Sequence, residues 1–233
     1  MRIAIISDIH SNLEALTKAL ETIKQRSVDT IVCLGDIVGY GANPNECVEL
    51  VREHCEIVVL GNHEDALLHP EALLHFSEHA RSAIVWTHQC LSQQNQDYIA
   101  HLPLTASFEG LLLVHATPCH PESWNYLFSD DDAADTFGCF TESVCCIGHT
   151  HFPGIFSESG RVCGVSRNER FLINVGSVGQ PRDRNPQLSF GLFDTEPWAY
   201  ENMRVAYDIE TASRKILETD LPSRLAHRLL MGM

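Results

Sequence analysis

MRIAIISDIHSNLEALTKALETIK (residues 1–24) carries an apolar run, Ile3 to Ile6, that stops at Ser7, Asp8 and His10 and then changes period. A short apolar run ending in polar groups reads as a buried strand, here RIAIIS (2–7). Leu13, Leu16, Leu20 and Ile23 then recur at helical spacing, and Ser11 with Glu14 reads as the capping box that opens the helix. The same unit follows twice more. Thr30 to Leu34 reads as a strand running into Gly35-Asp36. Asn43-Pro44 opens a second helix, with Asn43 as cap and Pro44 in the first turn. Glu56 to Leu60 reads as a third strand, ending at Gly61-Asn62-His63. This strand–helix alternation implies parallel strands with right-handed crossovers.

Further along, residues 71–101 read as mostly helical, with Ala80, Ile84 and Leu91 inward; whether they form a lid or a fixed layer stays open. His75, His79, His88 and His101 have no motif around them and read as surface or packing residues. Leu111 to Val114 is a strand that delivers His115, and Val144 to Ile147 one that delivers Gly148-His149-Thr150-His151. Ser129 before Asp130, Asp131 and Asp132 has two readings, a cation site and a capped helix start, of which the second is preferred. From His151 to about residue 206, short strands between Gly, Asn and Ser turns point to antiparallel pairing. Asp208 to Met231 reads as two short helices separated by Leu221-Pro222. With no repeat or linker, residues 1–233 read as a single domain.

Composition narrows the class. The chain has 233 residues, 44% hydrophobic and 20% charged, enough for one substantial core. No run approaches the roughly 18 apolar residues of a membrane span, and the N-terminus reads as a first strand, not a signal peptide. Nine cysteines without a C-x-x-C pair point to reduced thiols and a cytoplasmic setting; Cys33, Cys145 and Cys146 lie in apolar runs as small hydrophobes. A formal net charge of −15 argues against a stable nucleic-acid partner, although bound cations would reverse the field locally for a phosphate.

Asp8, His10, Asp36, Asn62, His115, His149 and His151 all stand at or just past strand ends, and His63 follows Asn62. Apolar strands do not end in such groups for packing reasons, because burying them without partners is costly. Carboxylate, amide and imidazole at strand ends suffice for two adjacent metal ions and leave one histidine for proton transfer. Mixed oxygen and nitrogen donors suit Mn, Fe, Ni, Co or Zn better than Ca.

The blocks DIH (8–10), GDIV (35–38), GNHE (61–64), VHA (114–116) and GHTH (148–151) resemble, in order, those of the calcineurin-like metallophosphoesterase superfamily. The segment Asn174 to Arg182, NVGSVGQPR, resembles a loop of its small, mostly prokaryotic phosphodiesterase branch. The resemblance implies an α/β fold, a four-layer α/β/β/α sandwich of two mixed sheets flanked by helices. It also implies that Asp8, His10 and His151 hold one divalent ion, that Asn62, His115 and His149 hold the other, and that Asp36 bridges them. The expected chemistry is attack of a metal-bridging hydroxide on a phosphoester, with His63 as general acid.

Arg182 has two readings, a clamp on a phosphate oxygen and a surface salt bridge. Asn12 has two as well, a substrate contact and a helix start, with the helix start preferred. Relative to the Ser/Thr protein phosphatase branch, Gly39 replaces the acid that pairs with the catalytic histidine. Tyr40 and Leu60 stand where that branch has arginines. Fewer cationic clamps favour a diester over the more highly charged monoester. Trp124 and Tyr126 follow His115 in a Pro-stiffened segment; filling space beneath a loop is preferred to stacking on a nucleobase. The expected partner is therefore a small phosphoester, nucleotide-derived if an aromatic stacks on it. A phosphodiesterase is favoured over a dinucleoside polyphosphate hydrolase, a phosphoprotein phosphatase and a non-catalytic protein-binding scaffold. The sequence leaves the oligomeric state open.

Overall fold

In the computed structural model, which describes residues 1–160 and 164–233, the three N-terminal units form as their patterns require. Strand β1 (Arg2–Ile6) leads to α1 (Leu13–Lys24), β2 (Thr30–Cys33), α2 (Pro44–His54) and β3 (Ile57–Val58), and the strands pair parallel in the order β1-β2-β3. The third strand is only two residues long: the Val59 N–H still donates to Cys33 O at 3.0 Å, but the Leu60 N–H turns away to Pro103 O at 2.7 Å, both residues staying buried. Helix α1 starts one residue later than its capping-box reading. Asn12, not Ser11, is the cap, accepting from the Ala15 N–H at 3.1 Å. Ser11 has φ +54 and its hydroxyl makes no hydrogen bond. Pro44 does open α2, but the Asn43 side chain turns to Glu46 instead of capping the helix.

Helix α3 (Asn62–Leu68) begins at the end of β3. A 3₁₀ turn, Pro70–His75, leads to α4 (Glu78–Cys90) and α5 (Gln93–Ile99). Ala80, Ile84 and Leu91 are buried as expected. Ala80 and Ala83 of α4 pack against the C-terminal helices α7 (Ile209–Leu217) and α8 (Ser223–Met231), through Ala212, Ile216, Leu225 and Leu229.

The second sheet comprises β4 (Thr105–Phe108), β5 (Leu111–Val114), β6 (Val144–Ile147), β7 (Gly154–Ser157) and β8 (Phe171–Asn174), in the order β4-β5-β6-β8-β7. Strands β9 (Leu188–Asp194) and β10 (Ala199–Val205) return to the first sheet, giving β10-β9-β1-β2-β3. The expected antiparallel second half is only partly right. Strand β8 pairs antiparallel with β7 but parallel with β6, and so carries the parallel core of the second sheet outward. Both sheets are mixed.

The layers follow from alternation along the strands. Ile3, Ile5, Val32 and Leu34 point into the space between the sheets, where they meet Leu113, Val144, Cys146, Phe171 and Ile173. On the other face of the first sheet, Ala4, Ile6 and Cys33 pack on Leu16, Ala19, Val48 and Val51 of α1 and α2. The far face of the second sheet is covered thinly, by Leu127, Ala133, Phe137 and Phe140 around the short helix α6 (Asp130–Ala134). The result is an α/β/β/α sandwich. Ser129 caps α6 and Asp132 closes the capping box, so the acidic run is a helix start.

Cys33, Cys145 and Cys146 are buried free thiols, but Cys119 and Cys139 form a disulfide, which corrects the reading of all cysteines as reduced. Cys163 lies outside the described residues. No helix among the described residues is long and apolar enough to cross a membrane.

Candidate active site

Both sheets send their strand ends to one place. Asp8 and His10 follow β1, Asp36 follows β2, and Asn62 and His63 open α3; His115 follows β5, and His149 and His151 follow β6. All eight side chains are buried. Their donor atoms gather into three overlapping groups: Asp8, His10 and His151; Asp36, His115 and His149; and His10, Asp36 and His63. Every residue read from the sequence as a metal-type ligand is therefore at the centre, with Asn62 Oδ1 3.2 Å from His115 Nε2.

Main-chain carbonyls fix which ring nitrogen each histidine turns inward, since a carbonyl can only accept. Nδ1–H donates to Val38 O from His10 at 3.1 Å, to Leu34 O from His115 at 2.8 Å and to Gln180 O from His151. In His149 the roles reverse, and Nε2–H donates to Trp124 O at 2.9 Å. The inward nitrogens then approach in pairs, His10 Nε2 to His151 Nε2 at 3.1 Å and His115 Nε2 to His149 Nδ1 at 3.2 Å. Lone pairs that face each other so closely repel unless a cation lies between them, which is the donor arrangement a transition-metal ion requires.

Asp36 stands between the two pairs. Its Oδ2 is 3.7 Å from His10 Nε2 and 3.4 Å from His115 Nε2, while Oδ1 accepts the His63 N–H at 2.9 Å. Asp8 Oδ1 lies 3.2 Å from His151 Nε2, and its carboxylate accepts the His149 N–H at 3.0 Å, tying the end of one sheet to the other. Burial opposes both negative charges, but the neighbouring histidines outweigh it and hold both carboxyls below the usual range. Burial lowers His10 and His151, and pushes His149 down to about 3; these rings are neutral at physiological pH, the form that ligates. At His115 burial also pulls downward, yet Asp36 and Asp8 outweigh it and raise the ring to about 9, so His115 must release a proton to ligate.

The backbone carries the strain of this convergence. Asp8, His10, Asp36, His149 and His151 all have positive φ, between +49 and +65, which non-glycine residues adopt at a cost of order 1–3 kcal/mol each. The NVGSVGQPR segment braces them. Ser177 Oγ–H and Gly179 N–H both donate to Asp8 O, Val178 N–H donates to Ser7 O, and Asn174 Nδ2–H donates to Gly148 O. Asn12 belongs to the same brace. Its Oδ1 caps α1, and its Nδ2 donates to Gly179 O at 2.8 Å and Tyr207 Oη at 3.1 Å. The amide oxygen of Asn12 is thus engaged in the helix start and its nitrogen in the brace.

Glu64, quoted in the GNHE block but given no role there, holds the second and third strand ends together. Fully buried, its carboxylate accepts the N–H groups of Asp36 at 2.8 Å, Val38 at 3.0 Å and Gly61 at 3.1 Å. Burial and the Asp36 charge raise it to about 7 despite those bonds. Glu64→Gln puts an NH₂ against N–H donors. The expected loss is about 2–4 kcal/mol of stability, read in metal-stripped protein as a lower denaturant midpoint at unchanged slope.

His63 contacts the cleft and the rings of His10 at 4.7 Å, Tyr40 at 4.6 Å and Phe76 at 5.3 Å. Its Nε2 is 4.0 Å from Asp36 Oδ2, whereas Nδ1 is buried without a hydrogen-bond partner among the described residues. Gly39 explains the missing partner. It has φ +89, and a Cβ there would collide with His63 Nδ1. A carboxylate at position 39 has no room. Gly39→Ala should therefore displace His63 and destabilise the turn by about 1–3 kcal/mol, visible as a lowered melting temperature with turnover lost at intact metal content.

The centre opens into a cleft of about 720 Å³, lined in part by Asp36, Tyr40, Asn62, His63, Phe76, His149, His151 and Arg182. Arg182 lies in the cleft as the clamp reading requires; its guanidinium donates to Gln180 Oε1 and sits 5.8 Å from the Tyr40 ring centre. Among the described residues it pairs with no carboxylate. Arg228, from α8, faces the same cleft and was not picked out from the sequence.

The two aromatics of the 117–126 segment differ. Trp124 is half-buried against the core and donates from Nε1 to Asp65 at 3.2 Å, so it fills and tethers. Tyr126 does not fill space beneath a loop. It is 54% exposed and stacks on His149 at 4.1 Å, with Phe128 stacked beyond it at 5.5 Å.

Comparisons with known proteins agree with this geometry. The model of the calcineurin-like phosphoesterase superfamily domain matches residues 1–197. The uncharacterized protein MJ0912 of Methanocaldococcus jannaschii is 43% identical over 99% of this chain and 98% of its own length. Phosphodiesterase YfcE of Escherichia coli K12 is 28% identical over 84% of this chain and 89% of its own. A metallophosphoesterase structure from Sphaerobacter thermophilus superposes with a TM-score of 0.89 at 37% identity, covering 100% of this chain and 99% of that one.

Proposed function

The chain belongs to the calcineurin-like phosphoesterase superfamily, and on that footing we propose a dinuclear-metal phosphodiesterase that hydrolyses a small phosphodiester. The observation that carries the proposal is Asp36 Oδ2, one carboxylate oxygen placed between two sets of inward-facing ligand atoms. Asp8, His10 and His151 would hold one ion; Asn62, His115 and His149 the other; Asp36 would serve both. Mn, Fe, Ni, Co and Zn all suit these donors. When bound, such a pair supplies a water-derived nucleophile and neutralises charge on the phosphoryl oxygens.

The protein's own residues do the rest. Arg182 binds a phosphoryl oxygen from the cleft side, and the buried walls exclude bulk water. His63 delivers a proton from Nε2 to the departing ester oxygen, while the oxygen of water ends on phosphorus. Burial, with Arg182 adding to it, lowers His63 to about 4, and no acid partners its Nδ1. The phosphodiester anion is thus the charge that favours the protonated ring, and His63 becomes an acid only with substrate in place.

The preference for diesters is supported by Tyr40 and Leu60, which stand where the protein phosphatase branch has arginines that a monoester dianion calls for, and by the similarity to phosphodiesterase YfcE. We take residues 1–233 as one domain, supported by the core shared between the sheets, and assign a cytoplasmic setting on the buried free thiols. Hydrolysis of bis-p-nitrophenyl phosphate and p-nitrophenyl phosphate by Mn²⁺-loaded protein tests the reading. Diester turnover should exceed monoester turnover; the reverse order would move the assignment to a phosphatase.

A further inference from the structure

We propose that Arg182 and Arg228 form a second anion subsite on the leaving-group side of the cleft, and that the substrate is a phosphodiester whose leaving portion carries a further phosphoryl group. This rests on the phosphodiesterase reading of the metal centre.

The chain has 31 Asp and Glu against 16 Lys and Arg, so a half-buried arginine without an acidic side-chain partner is conspicuous, whereas an exposed one is not. Arg2, Arg170, Arg204 and Arg214 each pair with a carboxylate. Among the described residues Arg182 and Arg228 pair with no side-chain carboxylate, although both are half-buried and line the same cleft. Arg182 spends Nε and Nη2 on one amide oxygen, Gln180 Oε1, and its Nη1 has no partner among the described residues. Arg228 uses only Nε, donating to the main-chain oxygen of Met233 at 2.7 Å, and both of its Nη groups are free in the same sense. Besides Asp36, two carboxylates line the cleft. Asp65 is engaged by His69 and Trp124, and Glu122 lies beside the exposed His120.

Holding two guanidiniums together has a cost. Burial lowers Arg228, and the Arg182 charge lowers it further. Both arginines and Tyr40 line the one cleft. An oligophosphate offers what such a pair lacks, oxygens spaced to accept from two forks.

Side is fixed by Tyr40. Its ring lies 4.6 Å from the His63 ring, and the Arg182 guanidinium lies 5.8 Å from the Tyr40 ring centre. Arg182 is therefore on the side of the general acid, where the leaving group departs, and Arg228 lines the same cleft.

The test is calorimetric binding of inorganic triphosphate and of orthophosphate to Mn²⁺-loaded protein, at one fixed free Mn²⁺ concentration. Wild type should bind triphosphate at least about tenfold more tightly than orthophosphate, and Arg228→Gln should remove about tenfold of that preference, as loss of a charge-assisted hydrogen bond predicts. Arg228→Lys should retain most of it. Arg224→Gln, on the exposed side of the same helix, should match wild type. Equal binding of the two anions, or an Arg228→Gln protein as discriminating as wild type, would overturn the subsite. Calorimetry reads this whether or not bis-p-nitrophenyl phosphate is turned over, so failure of the phosphodiesterase reading would be separately visible.

Discussion

Asp36→Ala should abolish metal loading and hydrolysis together, with turnover down by three orders of magnitude or more, on the scale of what paired metals contribute. The magnitude comes from position. A single oxygen, Oδ2, lies within 3.7 Å of His10 Nε2 and 3.4 Å of His115 Nε2, so its removal strips a ligand from both proposed ions. Asp36 is also the negative charge that keeps His115 raised and faces His10 and His63, so its loss leaves buried histidines uncompensated. The same substitution removes the acceptor for the His63 N–H at the start of α3. Asp36→Asn separates the two effects. It keeps an amide oxygen for that N–H but drops the charge, and should fold like wild type while binding less than one full pair of ions. Elemental analysis after desalting, beside a melting curve, checks this; two retained ions in either variant would dismiss the bridging role.

His63→Asn should give the opposite separation, with full metal content and turnover reduced about 10²–10⁴-fold. The loss should appear with an alkyl leaving group and shrink with p-nitrophenolate, which departs without a proton. His63 stands 4.0 Å from Asp36 and also falls into a ligand-like group with His10 and Asp36, so metal content must be measured with the rates. Wild-type turnover of a poor leaving group would remove the general-acid role. Loss of an ion would make His63 a ligand.

The strand ends were legible because each motif follows an apolar run of its own, and burial of Asp, Asn or His there calls for a partner. The eight residues so read converge from two sheets. What stayed hidden depends on contacts distant in sequence. Arg228 reaches the cleft because α8 packs on α4, an association that the helical period does not specify. Glu64 reads as an ordinary acid after a histidine until Asp36 and Val38 are brought to it. Cys119 and Cys139 are 20 residues apart, without framework spacing, and meet only through the loop beneath α6. Asn12 and Ser11 are both good helix caps by type; the choice fell to Asn12 because its amide can also bond Gly179 and Tyr207. Strand β8 shows no local sign of being parallel to β6, since strand direction is set by the crossover and not by composition.

The most direct test of a dinuclear phosphodiesterase is to titrate metal-stripped protein with Mn²⁺ while following bis-p-nitrophenyl phosphate hydrolysis. Turnover should stay low through the first equivalent and saturate at two ions per chain, with Asp36→Asn silent throughout. Saturation at one ion, or two bound ions with no diester cleavage, would contradict the account.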